Sequence, residues 1–181
     1  VILRNIDDRL MILLPTDADF AHPSDLHGVA HVTRVMAHAV RLVNLTRCQE
    51  LRGPLLASVF LHDLARTHDG VCLEHGFAAA TLFRTNRTLQ VKMRLAFHIA
   101  KRHYPAILTA VRWHCLPMEL PVLHTHWPLT ALLKDADGLD RVRLGDFDPK
   151  YLRLDVSHTL ISSAWDMLYD PRVTKNVLES A

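Results

Sequence analysis

The stretch that decides the fold is LLASVFLHDLAR, residues 55–66. It is apolar at almost every position before its polar pair, and a segment that is apolar on all sides predicts a helix buried at the centre of the protein, here about residues 54–65. The pair His62-Asp63 ends this apolar run. A buried carboxylate without a partner is costly, so Asp63 needs a histidine, an arginine or a divalent cation beside it.

The sequence on either side of this stretch also has helical periodicity. Apolar residues recur at spacings of three and four over residues 28–46, which predicts an amphipathic helix whose start Ser24 or Asp25 could cap. Pro117 and Pro121 indicate a loop over residues 116–126. Further helical segments are predicted from about residue 76, over about 89–103, from Pro105, over about 129–142, and near 157–169 and 171–179.

Length and composition favour one all-α domain. The chain has 181 residues, 49% of them hydrophobic and 22% charged, which is typical of a soluble globular protein, and together with the helical periodicity this predicts a single compact helical bundle spanning residues 1–181. Its formal net charge of +2 gives no support to nucleic-acid binding. No stretch reaches the ~18 apolar residues that a membrane span requires.

Cysteine usage and the first residues favour a cytoplasmic protein. Cys48, Cys72 and Cys115 form no CxxC pair and are too few for a disulfide framework, so we expect reduced thiols. The first residues lack a basic region followed by an uninterrupted apolar stretch, and so do not have the pattern of a signal peptide.

Histidine is the unusual feature, with 13 in the chain. Imidazole nitrogens mixed with carboxylate oxygens suit iron, manganese, nickel, cobalt or zinc, and suit calcium poorly. Asp135, like Asp63, follows an apolar run and needs a partner if it is buried. Metal-ligand residue types are concentrated in the stretches HGVAHVTRV (27–35), LHDLAR (61–66), EHG (74–76) and KDADGLDR (134–141).

The ordered pattern H…HD…D resembles the signature of the HD superfamily of metal-dependent phosphohydrolases. The matching context is "HVTRV", "LLASVFLHDLAR" and "ALLKDADGLDRVR", so the resemblance covers about residues 27–143 and leaves 147–181 as a helical extension. It implies an all-helical HD-type bundle. The metal ligands that it implies are His31, His62, Asp63 and Asp135, whereas Asp137 is expected to point away from the metal.

A second metal ion is implied by a narrower resemblance. His75-Gly76 followed by Ala78-Ala79-Ala80 is similar to a motif in the two-metal branch that hydrolyses diadenosine tetraphosphate. The stretch "AVRWH", which ends at His114, is similar to a later motif of that branch. His75 and His114 are therefore the expected second-site ligands. His98 is the alternative, because "FHIAKRHY" resembles part of the HD-type di-iron oxygenases.

The resemblance also implies an activity. It is hydrolysis of a phosphoester or phosphoanhydride in a small phosphorylated, nucleotide-like substrate by a metal-activated water. Asp63 would orient or deprotonate that water, and Arg66, one helical turn later, would bind phosphate. Arg34, His27 and Lys134 are further candidates for substrate binding, with outward charge pairing as the alternative for Lys134.

Other readings remain open at this point. The same fold could serve a di-iron oxygenase, a regulatory module that binds metal without turnover, or a site where the metal only stabilises the fold. In the tail, Trp165, Leu168 and Tyr169 could pack on the core, cover the site or contact a second subunit in a homodimer.

Overall fold

The computed structural model describes residues 13–181 and is all-helical, as predicted, with no β-strand in that range. Short 3₁₀ turns join several of the helices. The α-helices are α1 (Val29–Thr46), α2 (Arg52–Leu61), α3 (His75–Thr85), α4 (Arg87–Phe97), α5 (Tyr104–Trp113), α6 (Trp127–Leu139), α7 (Asp155–His158), α8 (Ile161–Tyr169) and α9 (Pro171–Glu179).

Helix α2 lies at the centre of the fold, which confirms the prediction from its apolar sequence. Residues 54–61 are all buried, and the helix contacts α1, α5 and α6. It ends at Leu61, four residues earlier than predicted. The chain then tightens into i→i−3 turns, in which the N–H of Arg66 donates to the carbonyl of Asp63. His62 and Asp63 therefore stand at the end of the central helix.

Helices α1 and α6 flank α2, and both carry residues of the site. Helix α1 contacts α2, α6 and α9, and it begins at Val29 as the apolar spacing predicts. Ser24 does not cap it; its hydroxyl accepts from the N–H groups of Leu26 and His27 in the preceding turn. Helix α6 ends at Leu139 and continues as a 3₁₀ turn, Asp140–Leu144.

Helices α3 and α5 approach each other at Gly76. A Cβ on Gly76 would lie 2.6 Å from the carbonyl oxygen of Val111 and 2.9 Å from Sγ of Cys115, which is too close for any other residue. The first turn of α3 therefore rests against the end of α5. This contact places His75 beside His114.

The remaining segments differ from the predicted boundaries in two places. The helix predicted over 89–103 ends at Phe97, because His98 adopts a left-handed conformation with φ of 52°, and a 3₁₀ turn follows. The segment predicted near 157–169 divides into α7 and α8. Leu168 packs against the core, whereas the rings of Trp165 and Tyr169 stack on each other and are exposed.

The described residues contain no helix that combines the length and the apolarity needed to cross a membrane. Cys48, Cys72 and Cys115 are free thiols.

Candidate metal centre

Ends and faces of five helices converge on a buried cluster of histidines and carboxylates. Each of its histidines is at most 6% exposed, so water contributes little to solvating them. The cluster consists of His31 from α1, His62 and Asp63 after α2, His75 from α3, His114 after α5 and Asp137 from α6.

The first donor group forms where α1, α2 and α6 meet. The Nε2 atoms of His31 and His62 lie 3.2 Å apart. Oδ1 of Asp137 is 3.3 Å from Nε2 of His31 and 4.0 Å from Nε2 of His62. Oδ2 of Asp63 is 3.5 Å and 3.6 Å from the same two nitrogens. Two imidazoles and two carboxylates therefore point at one small volume.

The second donor group uses the other oxygen of Asp63. The Nε2 atoms of His75 and His114 lie 2.8 Å apart, and Oδ1 of Asp63 is 3.0 Å from the first and 3.8 Å from the second. The Asp63 carboxylate thus joins the two groups, with one oxygen directed at each. The structure brings together His75 and His114, the pair expected for a second metal.

The Nδ1 contacts of these histidines decide where their lone pairs lie. A carbonyl or carboxylate oxygen can only accept, so each Nδ1 carries the proton and a neutral ring presents its lone pair at Nε2. Facing lone pairs repel unless a proton or a cation lies between them, and this donor set fits a divalent transition-metal ion. The Nδ1 acceptors are Asp140 for His31, the Val59 carbonyl for His62, the Cys72 carbonyl for His75 and the Val111 carbonyl for His114.

Asp135 does not belong to the cluster, so the structure does not support its assignment as a metal ligand. Its oxygens accept from the backbone N–H groups of Arg153 and Leu154 and from the hydroxyl of Ser157, and its carboxylate pairs with the Arg153 guanidinium. Residues two apart point to nearly opposite sides of a helix, so Asp137 faces the histidines instead. The expectation that Asp137 points away is wrong for the same reason.

The sequence contained one signal for Asp137. Asp140 lies three positions after Asp137, so the two residues share one helix face. In the structure, Nδ1 of His31 donates to Oδ2 of Asp140 over 2.7 Å. The Asp137/Asp140 pair brackets the His31 ring, with one carboxylate at each nitrogen. Asp135 shares that face with neither of them.

Asp140 is a fully buried carboxylate held by two arginines. Arg34 donates to it from Nε over 2.6 Å and from Nη2 over 3.0 Å, and Nε of Arg143 lies 3.0 Å from its Oδ2. Arg34 is therefore committed to Asp140. Arg34 does not line the cavity over the cluster, so the structure gives no support to its prediction as a substrate-binding residue.

The other predicted substrate-binding residues have different outcomes. Lys134 donates to the carbonyls of Leu116 and Met118 and to Glu119, so all three of its N–H donors tie a loop to α6. The ion pair with Glu119 agrees with the alternative of charge pairing, and no N–H donor is left for a substrate. His27 is half-buried, with Nδ1 3.3 Å from Oδ2 of Asp63.

His98, the alternative ligand for the second metal ion, is exposed at the end of α4 and belongs to none of the candidate donor groups.

The protonation of the cluster follows from burial and from these contacts. Burial by itself lowers the pKa of His31, but hydrogen bonds to Asp137 and Asp140 outweigh it and raise that pKa to about 9. Burial lowers the pKa of His62 to about 4. For Asp63, the opposing effect of burial is outweighed by His62 and the neighbouring histidines, which hold its pKa well below the usual value. Both bridging oxygens of Asp63 are therefore available as ligands near neutral pH.

A cavity of about 700 Å³ opens over the cluster. Two buried arginines in its wall each keep an N–H group without a hydrogen-bond partner, Nε of Arg66 and Nη1 of Arg143. Arg66 stands on the side of the second donor group, with Nη1 3.5 Å from Nδ1 of His75. Arg143 stands on the side of the first, with Nη2 3.3 Å from Nδ1 of His27. Arg143 was not predicted, and its distance from the HD pair in sequence gave no signal for it.

The described residues thus form an all-helical protein with a buried histidine–aspartate cluster able to hold metal ions. Comparison of the chain with protein-family models, with curated proteins and with solved structures found no match.

Proposed function

We propose that this protein is a metal-dependent hydrolase that cleaves a phosphoester or phosphoanhydride of a small nucleotide-like substrate. The observation that carries the proposal is the position of Asp63, whose two oxygens serve two adjacent donor groups below an arginine-lined cavity. Paired metal sites that share a ligand suit in-line displacement at phosphorus. The resemblance to HD phosphohydrolases points to the same chemistry.

The first donor group would hold one ion through His31, His62, Asp63 and Asp137, and the second would use Asp63, His75 and His114. Bound divalent ions supply Lewis acidity and lower the pKa of coordinated water toward neutrality. The chain fixes the four imidazole rings through their Nδ1 contacts. A protein that orients its ligands in this way avoids reorganisation when the substrate binds.

Arg66 and Arg143 would bind the phosphate. Their unpartnered N–H groups are buried, and an unsatisfied buried donor is costly, so an anionic oxygen at either position would be stabilised. The two guanidinium groups stand beside different donor groups.

His27 would act on the substrate side of Asp63. It lines the cavity and stands within 3.3 Å of the bridging carboxylate. An imidazole there can hold or deliver a proton at the leaving oxygen. The volume of about 700 Å³ lies within the range for small-molecule sites, and apolar residues such as Leu73 and Phe147 in its wall suit the base of a nucleotide.

The test is a measurement of metal content and phosphate release on the full chain purified without chelators. We expect bound transition metal and phosphate release from at least one nucleotide of a panel. Asp63→Asn should remove most of that release, by at least 100-fold, in a protein with an unchanged circular-dichroism spectrum. Asp166→Asn is the matched control, because Asp166 is exposed on α8 and should leave the rate unchanged.

Other outcomes would replace the proposal. About two irons per chain with oxygen uptake and no phosphate release would identify a di-iron oxygenase instead. Metal-loaded protein without any turnover would favour a regulatory module, and loss of folding in Asp63→Asn would favour a structural site. A cytoplasmic location and a homodimer stay predictions from the sequence.

A further inference from the structure

Cys115 lies beside the second donor group and has no part in the hydrolysis proposed above. Its Sγ, a ring nitrogen of His75 and a ring nitrogen of His114 all lie within 4.8 Å of one another. One cysteine sulfur together with two imidazole nitrogens is a donor set that zinc and other thiophilic ions favour. Magnesium and calcium do not favour it.

The fold brings the sulfur to this position through the contact at Gly76. Because Gly76 has no side chain, the first turn of α3 lies against Val111 and Cys115, and a Cβ there would lie 2.9 Å from Sγ. The thiol is partly buried and donates to the carbonyl of Leu73 over 3.2 Å. Sγ is therefore held at the edge of the histidine pair and not turned into solvent.

A thiol must lose its proton to bind a metal ion. A metal–sulfur bond would replace the S–H bond and release its proton to solvent. The hydrogen bond to the carbonyl of Leu73 is lost in that exchange.

We propose that Cys115 is a thiolate ligand of a metal ion held by His75 and His114, and that the second site therefore selects a thiophilic ion such as zinc. The proposal concerns ligation alone and does not depend on the reaction catalysed. A competing arrangement uses His62, Asp63 and His114, whose donor atoms also lie within 4.8 Å of one another and include no sulfur.

Cobalt(II) distinguishes these arrangements, because a thiolate–cobalt bond gives a near-ultraviolet charge-transfer band that nitrogen and oxygen ligands do not. The full-length metal-free protein would be titrated anaerobically with cobalt(II) as wild type, Cys115→Ser, Cys72→Ser and Cys48→Ser. Cys48 is remote from the cluster, and Cys72 lines the same cavity without belonging to any candidate group. Zinc affinity for the second equivalent would be measured in parallel.

We expect the band in wild type, Cys72→Ser and Cys48→Ser, and its loss in Cys115→Ser. Visible cobalt absorption from the first site should remain in Cys115→Ser and shows that this variant is folded. The second zinc affinity should fall by at least about 10-fold. The inference is overturned if wild type binds cobalt without showing the band, or if it binds no cobalt. It is also overturned if the band persists in Cys115→Ser or disappears in Cys72→Ser. A wild type that releases phosphate but lacks the band would leave the hydrolase standing and remove only this ligand.

Discussion

At the scale of single residues, two aspartates of one helix have opposite roles. Asp135 and Asp137 are both on α6 and both are close to charged partners, but only Asp137 faces the histidines. Asp135 instead anchors the start of the segment that leads into α7. The sequence analysis chose Asp135 as the ligand, and the direction of each side chain in the fold favours Asp137.

The first prediction compares the two aspartates. Asp137→Asn should weaken metal binding by at least 10-fold and lower the unfolding free energy of the metal-free protein less than Asp135→Ala does, because Asp137 is partly exposed and an amide oxygen can still accept from His31. Asp135→Ala should lower that free energy by about 3 kcal/mol, because it leaves the backbone N–H of Leu154 and the hydroxyl of Ser157 without their acceptor. Isothermal titration with zinc and urea unfolding measure the two effects. If Asp135→Ala weakens zinc binding and Asp137→Asn does not, Asp135 is the ligand and Asp137 is not.

The second prediction concerns Asp140 as a positioning residue for His31. Asp140→Asn should reduce metal affinity by about 10- to 100-fold, because the amide can no longer hold the charged Arg34 and can present its N–H₂ to Nδ1 of the imidazole. Metal titration checks the affinity. Asp140→Glu should recover part of it, whereas equal affinities in Asp140→Asn and wild type would contradict the role.

At the scale of elements, the site depends on how closely two helices approach. Only the contact of α3 with α5 places His75, His114 and Cys115 together, and Gly76 permits it. The central helix α2 supplies the rest by ending at Leu61, so that His62 and Asp63 leave its axis at the point where four other helices converge.

The third prediction is that Gly76→Ala disrupts the second donor group. Its Cβ would meet the Val111 carbonyl at 2.6 Å, so α3 must shift away from α5 at a cost of about 1–3 kcal/mol. One equivalent of bound metal should be lost by elemental analysis. Gly138→Ala is the control, because its Cβ would meet nothing closer than 3.7 Å and a helical alanine is favoured by about 1 kcal/mol.

At the scale of the whole molecule, the buried charges of the cluster make the free energy of unfolding depend on bound metal and on pH. Carboxylates and imidazoles from five helices share one buried volume, so any ion bound there links elements that are distant in sequence. A ligand that binds only the folded state stabilises it by mass action.

The fourth prediction follows from that linkage. Zinc at about 100 times its Kd should raise the unfolding free energy by about 2.7 kcal/mol. For a chain of this length the corresponding rise in Tm is about 5–10 °C. Differential scanning calorimetry with and without zinc measures it, and a chelator should reverse it. An unchanged Tm at saturating zinc would exclude binding to the folded cluster.

The fifth prediction uses His38, which is fully buried on α1 with neither ring nitrogen hydrogen-bonded. Burial lowers its pKa to about 4, so the folded state binds fewer protons than the unfolded state between about pH 4 and 6.5. Stability associated with neutral His38 is therefore present above pH 6.5 and is lost as pH falls toward 4.

Replacement of His38 should remove this dependence. The unfolding free energy of His38→Leu relative to wild type should increase by about 2 kcal/mol between pH 7 and pH 5. Urea unfolding at the two pH values measures the change. His158→Leu, at an exposed histidine on α7, should show no such change, and a pH-independent difference for His38→Leu would disprove the assignment.

The sequence by itself determined the helical class, the central position of α2 and the identity of most cluster residues. The helical class, the position of α2 and the need of Asp63 for a partner follow from local pattern, because apolar spacing reports which face of a helix is buried and a buried carboxylate needs a partner. The order of His31, the His62-Asp63 pair, His75 and His114 was expected instead from the resemblance to the HD signature.

Only the tertiary structure decided between Asp135 and Asp137, assigned Arg34 and Lys134 to internal contacts, and brought Arg143 and Cys115 to the cluster. Each of these outcomes depends on the rotation of one helix about its axis or on the distance between two helices. Local sequence constrains neither quantity, since both are set by packing among segments that are far apart in the chain.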